Sequence, residues 1–193
     1  MTYFVKKPVS KINKRAIAST LRGNELTFVT GSSVFSPKRV DPGSALLVNE
    51  CEMDDDSSVL DLGCGYGPVG IAIKKAFPKT KVTLTDINDR AVGLAKQNAK
   101  RNKVEVTAQQ ADGYGKLGKF DVILFNPPQA AGKALCKKLL EEAKEHLNPK
   151  GNLQIVARHS KGGKSYEAIM EAAFGNVGVV GRQSGYRIYI SKL

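Results

Sequence analysis

Hydrophobic and polar positions alternate along the chain from residue 57 onward in a way that separates two kinds of element. Short apolar runs bounded by turn residues are typical of buried strands, and longer segments between them repeat their apolar residues at helical spacing. The predicted strands are Val59–Asp61, Lys81–Thr85, Val104–Ala108, Phe120–Phe125, Leu153–Ala157, Asn176–Val180 and Tyr186–Ser191. The predicted helices are Val69–Phe77, Arg90–Arg101, Lys133–His146 and Lys164–Phe174.

This alternation of strand and helix predicts an α/β fold, a Rossmann-like and mostly parallel sheet of seven strands with helices on both faces. The link between the last two strands is too short for a crossover, so the last strand should run antiparallel to its neighbour. Ligands of such folds bind beyond the carboxyl ends of the strands. Functional side chains are therefore expected just after the strands.

The first 50 residues are predicted to be a basic extension that packs on a core formed by residues 51–193, the two making one compact domain. Ser10–Arg22 is predicted to be a helix, with Ser10 as its N-cap and Gly23 as its stop. Leu26–Thr30 and Val34–Phe35 flank residues 31–33, a pattern that predicts a hairpin. Residues 44–50 are predicted to form a helix.

The net charge of +12 lies at the two ends of the chain. Residues 1–40 carry +7, residues 41–149 carry none, and residues 150–193 carry +5. A neutral core with basic ends suits a polyanionic partner, most simply nucleic acid. The residues expected to contact RNA phosphates are Lys6, Lys7, Lys11, Lys14, Arg15, Lys161 and Lys164.

Several other classes of protein are disfavoured by composition. No apolar run approaches the ~18 residues of a membrane helix, and the N-terminus lacks the apolar core of a signal peptide. The three cysteines, at positions 51, 64 and 136, form no metal-binding spacing. We therefore expect a cytoplasmic protein with no membrane and no metal, as a monomer or a weak homodimer.

A glycine-rich loop follows the first predicted strand of the sheet. Glycines at 63, 65 and 67 allow a tight turn and close approach of a ligand, and the helix behind them offers unpaired N–H groups. The segment from Gly65 to Gly70 also matches the dinucleotide pattern G-x-G-x-x-G, and Asp86 lies 21 residues after Gly65. This pattern leaves a nicotinamide-dependent oxidoreductase open. Asp61 speaks against it, because a carboxylate at that point repels a pyrophosphate and suits a sulfonium.

Asn126, Pro127 and Pro128 follow the fourth predicted strand, with Gln129 next. The two prolines stiffen the backbone and remove two N–H groups. The Asn126 amide and a proline carbonyl can then accept two hydrogen bonds from an exocyclic amine, which would free the nitrogen lone pair for attack. An aspartate at position 126 would also keep an acceptor there.

These motifs resemble those of the class I S-adenosylmethionine (SAM) methyltransferases, and residues 25–193 are similar to the small methyltransferase family. That family includes ribosomal RNA guanine-N2 methyltransferases of the small subunit and short archaeal relatives. The resemblance implies SAM as cofactor, with Asp86 on its ribose hydroxyls and Asp112 on its adenine. It implies that Asn126, Pro127, Pro128 and Gln129 form the acceptor clamp. The cofactor residues that it implies are Asp61, Gly63, Cys64, Gly65, Tyr66, Gly67, Asp86, Ile87, Asp112, Gly113 and Asn126.

The expected activity is methylation of a base amino group, with guanine N2 of ribosomal or transfer RNA as the first choice. The family usually has an aromatic residue at the fourth motif position, where this chain has Gln129. The departure leaves other targets open: guanine N7, a protein glutamine or a small molecule. RNA binding without catalysis is a further alternative. A protein that had lost its activity would be expected to have lost Asp61 or Asn126, and both are present.

Overall fold

The computed structural model describes residues 6, 13–32, 34–128 and 132–193. Within these ranges the strands are β1 (Lys14–Leu21), β2 (Asn24–Gly31), β3 (Ser58–Leu62), β4 (Lys81–Asp86), β5 (Thr107–Gln110), β6 (Phe120–Phe125), β7 (Leu147–Arg158), β8 (Gly178–Gln183) and β9 (Tyr186–Lys192). The helices are α1 (Pro42–Glu50), α2 (Pro68–Ala76), α3 (Asp89–Arg101), α4 (Lys133–Glu142) and α5 (Lys164–Phe174). A 3₁₀ turn, Ala143–His146, continues α4, and an irregular segment, His159–Gly163, precedes α5.

In the described residues, seven strands form the main sheet in the order β5-β4-β3-β6-β7-β9-β8. The pairs among β3, β4, β5, β6 and β7 are parallel, and β9 runs antiparallel to both β7 and β8. The predicted fold class is therefore confirmed, including the antiparallel last strand. The central position of β3 puts the loop that follows it in the middle of the carboxyl-end rim.

Helices cover both faces of the main sheet. Along β3 successive side chains point to opposite faces, so Val59 belongs to one buried cluster and Leu60 to the other. The first cluster contains Leu47 of α1, as well as residues of α2 and α3. The second contains Leu140 of α4 and Met170 of α5. Buried contact on both faces explains why these strands are almost continuously apolar.

The N-terminal segment differs from its prediction. Residues 14–21 form the strand β1, where a helix over Ser10–Arg22 was expected, and residues 7–12 lie outside the described residues. Arg22 and Gly23 both have positive φ, 44° and 75°, and join β1 to β2 in a two-residue turn. Such turns match the twist of paired strands. Gly23 therefore closes a hairpin and does not stop a helix.

The predicted hairpin around residues 31–33 is also wrong, although Leu26–Thr30 is a strand. Its partner is β1 and not Val34–Phe35, which lie outside any strand; residue 33 is outside the described residues. The outer edge of β2 meets the amide of Asn98 in α3 and the amide of Asn102, which caps the C-terminus of that helix. Asn98 Oδ1 accepts from Val29 N at 2.7 Å, and Asn102 Oδ1 accepts from Thr27 N at 3.0 Å. Asn98 also donates to the carbonyl of Tyr66 at 2.9 Å, which ties the hairpin to the glycine loop.

Smaller differences concern where elements begin. The helix α1 begins at Pro42, two residues before the prediction, because Asp41 caps it by accepting from Ser44 N at 3.1 Å. The strand β5 lies at Thr107–Gln110, later than the predicted Val104–Ala108. Among the described helices, none is both long and apolar enough to cross a lipid bilayer.

Candidate active site

A cleft opens at the carboxyl ends of β3, β4, β5 and β6. Its empty volume is about 1130 Å³, part of it open to solvent. The segment before α1 and the first half of α4 close its sides. The lining residues include Val34, Phe35, Ser36, Asp41, Ser44, Asp61, Gly63, Cys64, Gly65, Tyr66, Thr85, Asp86, Ile87, Asp112, Gly113, Phe125, Asn126, Pro127, Pro128, Leu135 and Leu139. The side chains that the sequence expected beyond the strand ends thus meet in one cleft.

The glycines of the loop after β3 serve two different purposes. Gly63 and Gly65 line the cleft with positive φ, 68° and 57°, and a Cβ on Gly65 would meet no atom within 4 Å. Gly67 caps α2 behind the loop and is absent from the cleft lining. A Cβ on Gly70 would lie 2.1 Å from the Leu84 side chain, so that glycine allows α2 to pack on β4. The loop therefore offers bare backbone to a ligand.

Asp61 lies inside β3 and is only 4% exposed, so it is deeper than the strand mouth where the sequence placed it. Its Oδ2 accepts from Gly70 N at 2.8 Å. Burial raises the pKa of the Asp61 carboxyl to about 7, and the nearby Asp86 charge contributes. A cation placed beside Asp61 would favour its ionised form.

Asp86 ends β4 and holds the glycine loop from the other side. Its Oδ2 accepts from Gly65 N at 2.9 Å and its Oδ1 accepts from Asn88 N at 2.9 Å. Burial raises the pKa of Asp86, although these hydrogen bonds oppose the shift. Each carboxylate oxygen can accept further hydrogen bonds, which suits a pair of hydroxyls.

Asp112 and Gly113 follow β5 at the outer end of the cleft. The Asp112 side chain is 66% exposed, and its Oδ2 lies 3.5 Å from Lys6 Nζ. Lys6, which is predicted to contact RNA, is paired here with a cleft residue, and its RNA contact stays a prediction. An exposed pair of this kind stabilises the fold by little, so Asp112 can exchange this partner for a ligand.

Thr85 supplies a further polar atom that sequence reasoning missed. Its Oγ1 is buried and, among the described residues, has no hydrogen-bond partner. A buried hydroxyl without a partner costs free energy, and Thr85 lines the cleft beside Asp86. This orphaned group, the buried carboxylate of Asp61, the partly buried carboxylate of Asp86 and the bare glycine backbone fit a ligand with a cationic centre and several hydroxyls.

Asn126 lies at the end of β6 with its amide orientation fixed by two side chains. Its Nδ2 donates to Asp41 Oδ2 at 3.1 Å and to Ser44 Oγ at 2.9 Å. Both amide protons are therefore used, and Oδ1 remains as an acceptor for the cleft. Neither Asp41 nor Ser44 was predicted to contact Asn126, because nothing local in the sequence connects residue 41 to residue 126.

The proline carbonyls beside Asn126 are not equivalent. Cys136 Sγ lies 3.7 Å from Pro128 O, which faces α4. Among the hydrogen bonds of the described residues, none ends on Pro127 O. Among the described residues, Asn126 Oδ1 and Pro127 O thus have no donor and can serve as acceptors at this point. Gln129 lies outside the described residues, so its predicted part in the clamp stays a prediction.

Two large apolar side chains flank the mouth of the cleft. Phe35 is 41% exposed and Leu135 is 40% exposed, and both line the cleft. The Phe35 ring was not predicted to have a function. An aromatic face beside polar acceptors is suited to a planar ring.

The predicted RNA-contacting residues are distributed unevenly. Lys14 and Arg15 are exposed on β1, and Lys14 Nζ lies 3.4 Å from Gln97 Oε1. Lys7 and Lys11 lie outside the described residues. Lys161 and Lys164 are exposed beyond the carboxyl end of β7, on the rim that carries the cleft. Two unpredicted arginines, Arg182 and Arg187, face each other across the nearby β8–β9 hairpin.

This geometry defines a class of protein. A sheet of this order, with a glycine loop after its central strand and acids after the next two, is the Rossmann-like fold of the class I methyltransferases. The family model described as "Methyltransferase small domain" matches residues 25–190. The chain belongs to this family and is a SAM-dependent methyltransferase. Membership of this family excludes the nicotinamide-dependent oxidoreductase. The predicted division of the chain into an extension and a core at residue 50 stays a prediction.

Individual relatives differ in how much of their length matches. Bacillus subtilis YbxB, described as uncharacterized, is 37% identical over 98% of this chain and 97% of its own. Ribosomal RNA small subunit methyltransferase C of Pseudomonas entomophila is 32% identical over 95% of this chain but 55% of its own. The chain thus spans about half the length of the ribosomal RNA methyltransferases that it matches.

A solved structure shares the fold. It is the Thermus thermophilus 16S rRNA N2 G1207 methyltransferase in complex with AdoMet and guanosine, with a TM-score of 0.81 and 24% identity. The alignment covers 96% of this chain and 52% of that one. At this sequence identity the similarity is evidence of a shared fold alone.

Proposed function

We propose that this protein acts in the cytoplasm on RNA and transfers a methyl group from SAM to the N2 amino group of a guanine, with small-subunit ribosomal RNA as substrate. The observation that carries the proposal is the orientation of Asn126. Its amide protons are held by Asp41 and Ser44, so its oxygen is available to an amine. The names of the ribosomal RNA relatives support the choice of substrate.

The cofactor residues divide along the cleft by chemistry. Asp61 and the backbone of Gly63–Tyr66 would hold the methionine half, where a buried carboxylate suits the sulfonium, and Gly67 would support this loop from behind. Asp86 would accept from the ribose hydroxyls, with Ile87 packed beside them, and Asp112 would accept from the adenine amino group. Thr85 Oγ1, which lacks a partner among the described residues, would gain one. Cys64 and Tyr66 shape the loop from their buried positions.

The acceptor residues act by position and electrostatics. When bound, SAM supplies an electrophilic methyl group. Asn126 Oδ1 and Pro127 O would accept the two protons of the guanine amine and hold them out of the ring plane, which frees the nitrogen lone pair. The nitrogen would take the methyl group as the carbon–sulfur bond of SAM breaks, leaving a neutral thioether, and would then release one proton to solvent. No covalent enzyme intermediate is required.

The mouth of the cleft and its rim suit a base attached to a phosphate chain. Phe35 and Leu135 offer apolar surface on which an extruded base could stack. Lys161 and Lys164 are exposed on the same rim, close to the Arg182 and Arg187 pair. Like charges directly opposite each other destabilise a hairpin, and a bound phosphate would relieve this repulsion.

The test is methylation of unmodified small-subunit ribosomal RNA with labelled SAM, followed by mass spectrometry of its nucleosides. We expect N2-methylguanosine, formed about 10²–10³-fold more slowly by the Asn126→Ala variant. A methyl group on guanine N7 would refute the clamp, because that atom carries no hydrogens. Label found only in protein glutamine or in a small molecule would refute RNA as the substrate.

A further inference from the structure

We propose that Asp41 is a positioning residue that fixes the amide orientation of Asn126, with Ser44 in support, and that it thereby requires asparagine and not aspartate at position 126. The inference rests on the proposed amino clamp and adds to it the residue that sets the clamp. It also adds to the expectation that an aspartate at 126 keeps an acceptor, because that acceptor would then face a second carboxylate.

Asp41 and Ser44 differ in how strictly they fix the orientation of the Asn126 amide, because their side chains differ in hydrogen-bonding capacity. Asp41 Oδ2 accepts from Asn126 Nδ2 at 3.1 Å, and an ionised carboxylate can only accept. Ser44 Oγ also accepts from Nδ2, at 2.9 Å, but a hydroxyl can rotate and donate. A flipped amide would turn Oδ1 toward the Asp41 carboxylate, two acceptors with no proton between them. Asp41 is therefore the partner that excludes the flip.

Asp41 is itself held rigidly. The same Oδ2 caps α1 by accepting from Ser44 N at 3.1 Å, and Pro42 occupies the first turn with its fixed φ. Gly43 leaves no free space: a Cβ there would lie 2.9 Å from Asp41 Oδ2 and 3.0 Å from Tyr186 Cε1. The carboxylate thus reaches Asn126 from a capped helix terminus and not from a free loop.

This contact has a consequence for aspartate at position 126. Two carboxylates would then face each other at about 3 Å, and like charges at that separation cannot both ionise without a large cost. The pair would share one proton at low pH. As the pH rises and the shared proton leaves, repulsion would push residue 126 away from the substrate amine. Activity of N126D should therefore fall as pH rises, unlike that of the wild type.

Exchanging the two side chains should restore the pair. In the double variant D41N/N126D, the amide at 41 can donate to the carboxylate at 126, which keeps an acceptor for the amine. Because Asp41 Oδ2 makes both contacts in this structure, an amide nitrogen at that point no longer accepts from Ser44 N, so the double variant should melt at a somewhat lower temperature. We expect the single-turnover rate of N126D at pH 8 to fall on the order of 10²-fold. The double variant should recover to within about tenfold of wild type, with a flat pH profile, because no carboxylate pair remains.

The experiment measures single-turnover methylation of RNA at saturating SAM between pH 6 and 9, with SAM affinity and thermal melting measured for each variant. D41S/S44A keeps a serine cap but removes both acceptors of Nδ2, and should slow methylation without weakening SAM binding. D56S is the matched control, since Asp56 is an exposed residue in the turn before β3, and it should match wild type.

The outcomes separate the two proposals. Wild-type methylation by N126A would overturn the amino clamp itself. A slow N126A together with a double variant as slow as N126D, both binding SAM normally, would overturn the positioning role alone. If D41S/S44A fails to fold, the comparison of N126D with D41N/N126D still tests the positioning role of Asp41.

Discussion

The two halves of the cleft hold their polar groups in opposite ways. In the proposed cofactor half, the carboxylates of Asp61, which is buried, and of Asp86, which is partly buried, accept hydrogen bonds from backbone N–H groups. In the acceptor half, Asn126 is a neutral amide held by the side chains of Asp41 and Ser44. Burial raises the pKa of both cofactor-half carboxyls, whereas the Asn126 amide does not titrate.

The difference indicates what each half has to do. A nearby cation stabilises a buried carboxylate more than an exposed one, because burial makes an unpaired negative charge costly. An amide that orients an amine has to keep one acceptor in one direction at every pH. We therefore expect changes in the cofactor half to alter affinity and proton linkage, and changes in the acceptor half to alter turnover.

The largest effect should come from Asn126→Ala. Loss of one preorganised acceptor should slow single-turnover methylation by about 10²–10³-fold, while SAM affinity by calorimetry stays near wild type. Asn176→Ala is the matched control, since that side chain bonds backbone groups at Phe174 and Lys192 and does not line the cleft. An equal loss of SAM affinity in Asn126→Ala would remove the distinction between the halves.

Asp86→Ala should act on affinity. The ribose hydroxyls would lose a charged acceptor and Gly65 N would lose its partner, so SAM binding should weaken by about 1.5–3 kcal/mol. Calorimetry measures this, and the methylation rate at saturating SAM should change less than in Asn126→Ala. Unchanged SAM affinity would show that Asp86 only supports the loop.

Asp61 should give the cofactor half its pH dependence. Between pH 4 and 7 the folded carboxyl holds a proton that the unfolded chain has lost, so the free energy of unfolding should fall as pH rises through this window. Asp61→Asn should flatten the fall. At pH 8 this variant should be more stable than the wild type by about 1–2 kcal/mol. Removal of the buried negative charge of Asp61 relieves a cost of about 4 kcal/mol. The amide N–H group that replaces it is buried without a partner, which takes back part of this gain.

Denaturant unfolding from pH 4 to 8 measures this slope. In the wild type, SAM binding near pH 6 should release a proton, because a sulfonium beside Asp61 lowers its pKa, and calorimetry in buffers of different ionisation enthalpy detects the release. Equal slopes in wild type and Asp61→Asn would show that the buried carboxyl does not control stability.

The smallest effect concerns the rim outside both halves. Lys161→Gln/Lys164→Gln should weaken RNA binding and lower the slope of log affinity against log salt by about 1–2, with SAM affinity unchanged. Lys137→Gln/Lys138→Gln is the control, because those lysines already pair with Glu141 and Glu142. Equal slopes for the two double variants would mean that the rim lysines are solvated and do not contact phosphate.

The sequence by itself determined the strand, the glycine turn and the helix that make up the proposed cofactor half. Strand, glycine turn and helix follow one another between Val59 and Ala76, so the signals of apolar run, turn and helix start are all local. The parallel strands β3, β4 and β6 were predictable for the same reason, since strands buried on both faces are apolar whatever their neighbours are. The family model that covers residues 25–190 confirms the class to which these motifs pointed.

Only the tertiary structure decided the hairpin and the acceptor half. The segment Lys14–Leu21 contains good helix formers, and it is a strand because β2 pairs with it and Asn98 and Asn102 hold the outer edge of β2. Asp41 and Asn126 are 85 residues apart in sequence. No local pattern records that contact, because it depends on packing the capped end of α1 beside the end of β6, and this packing exists only in the folded chain.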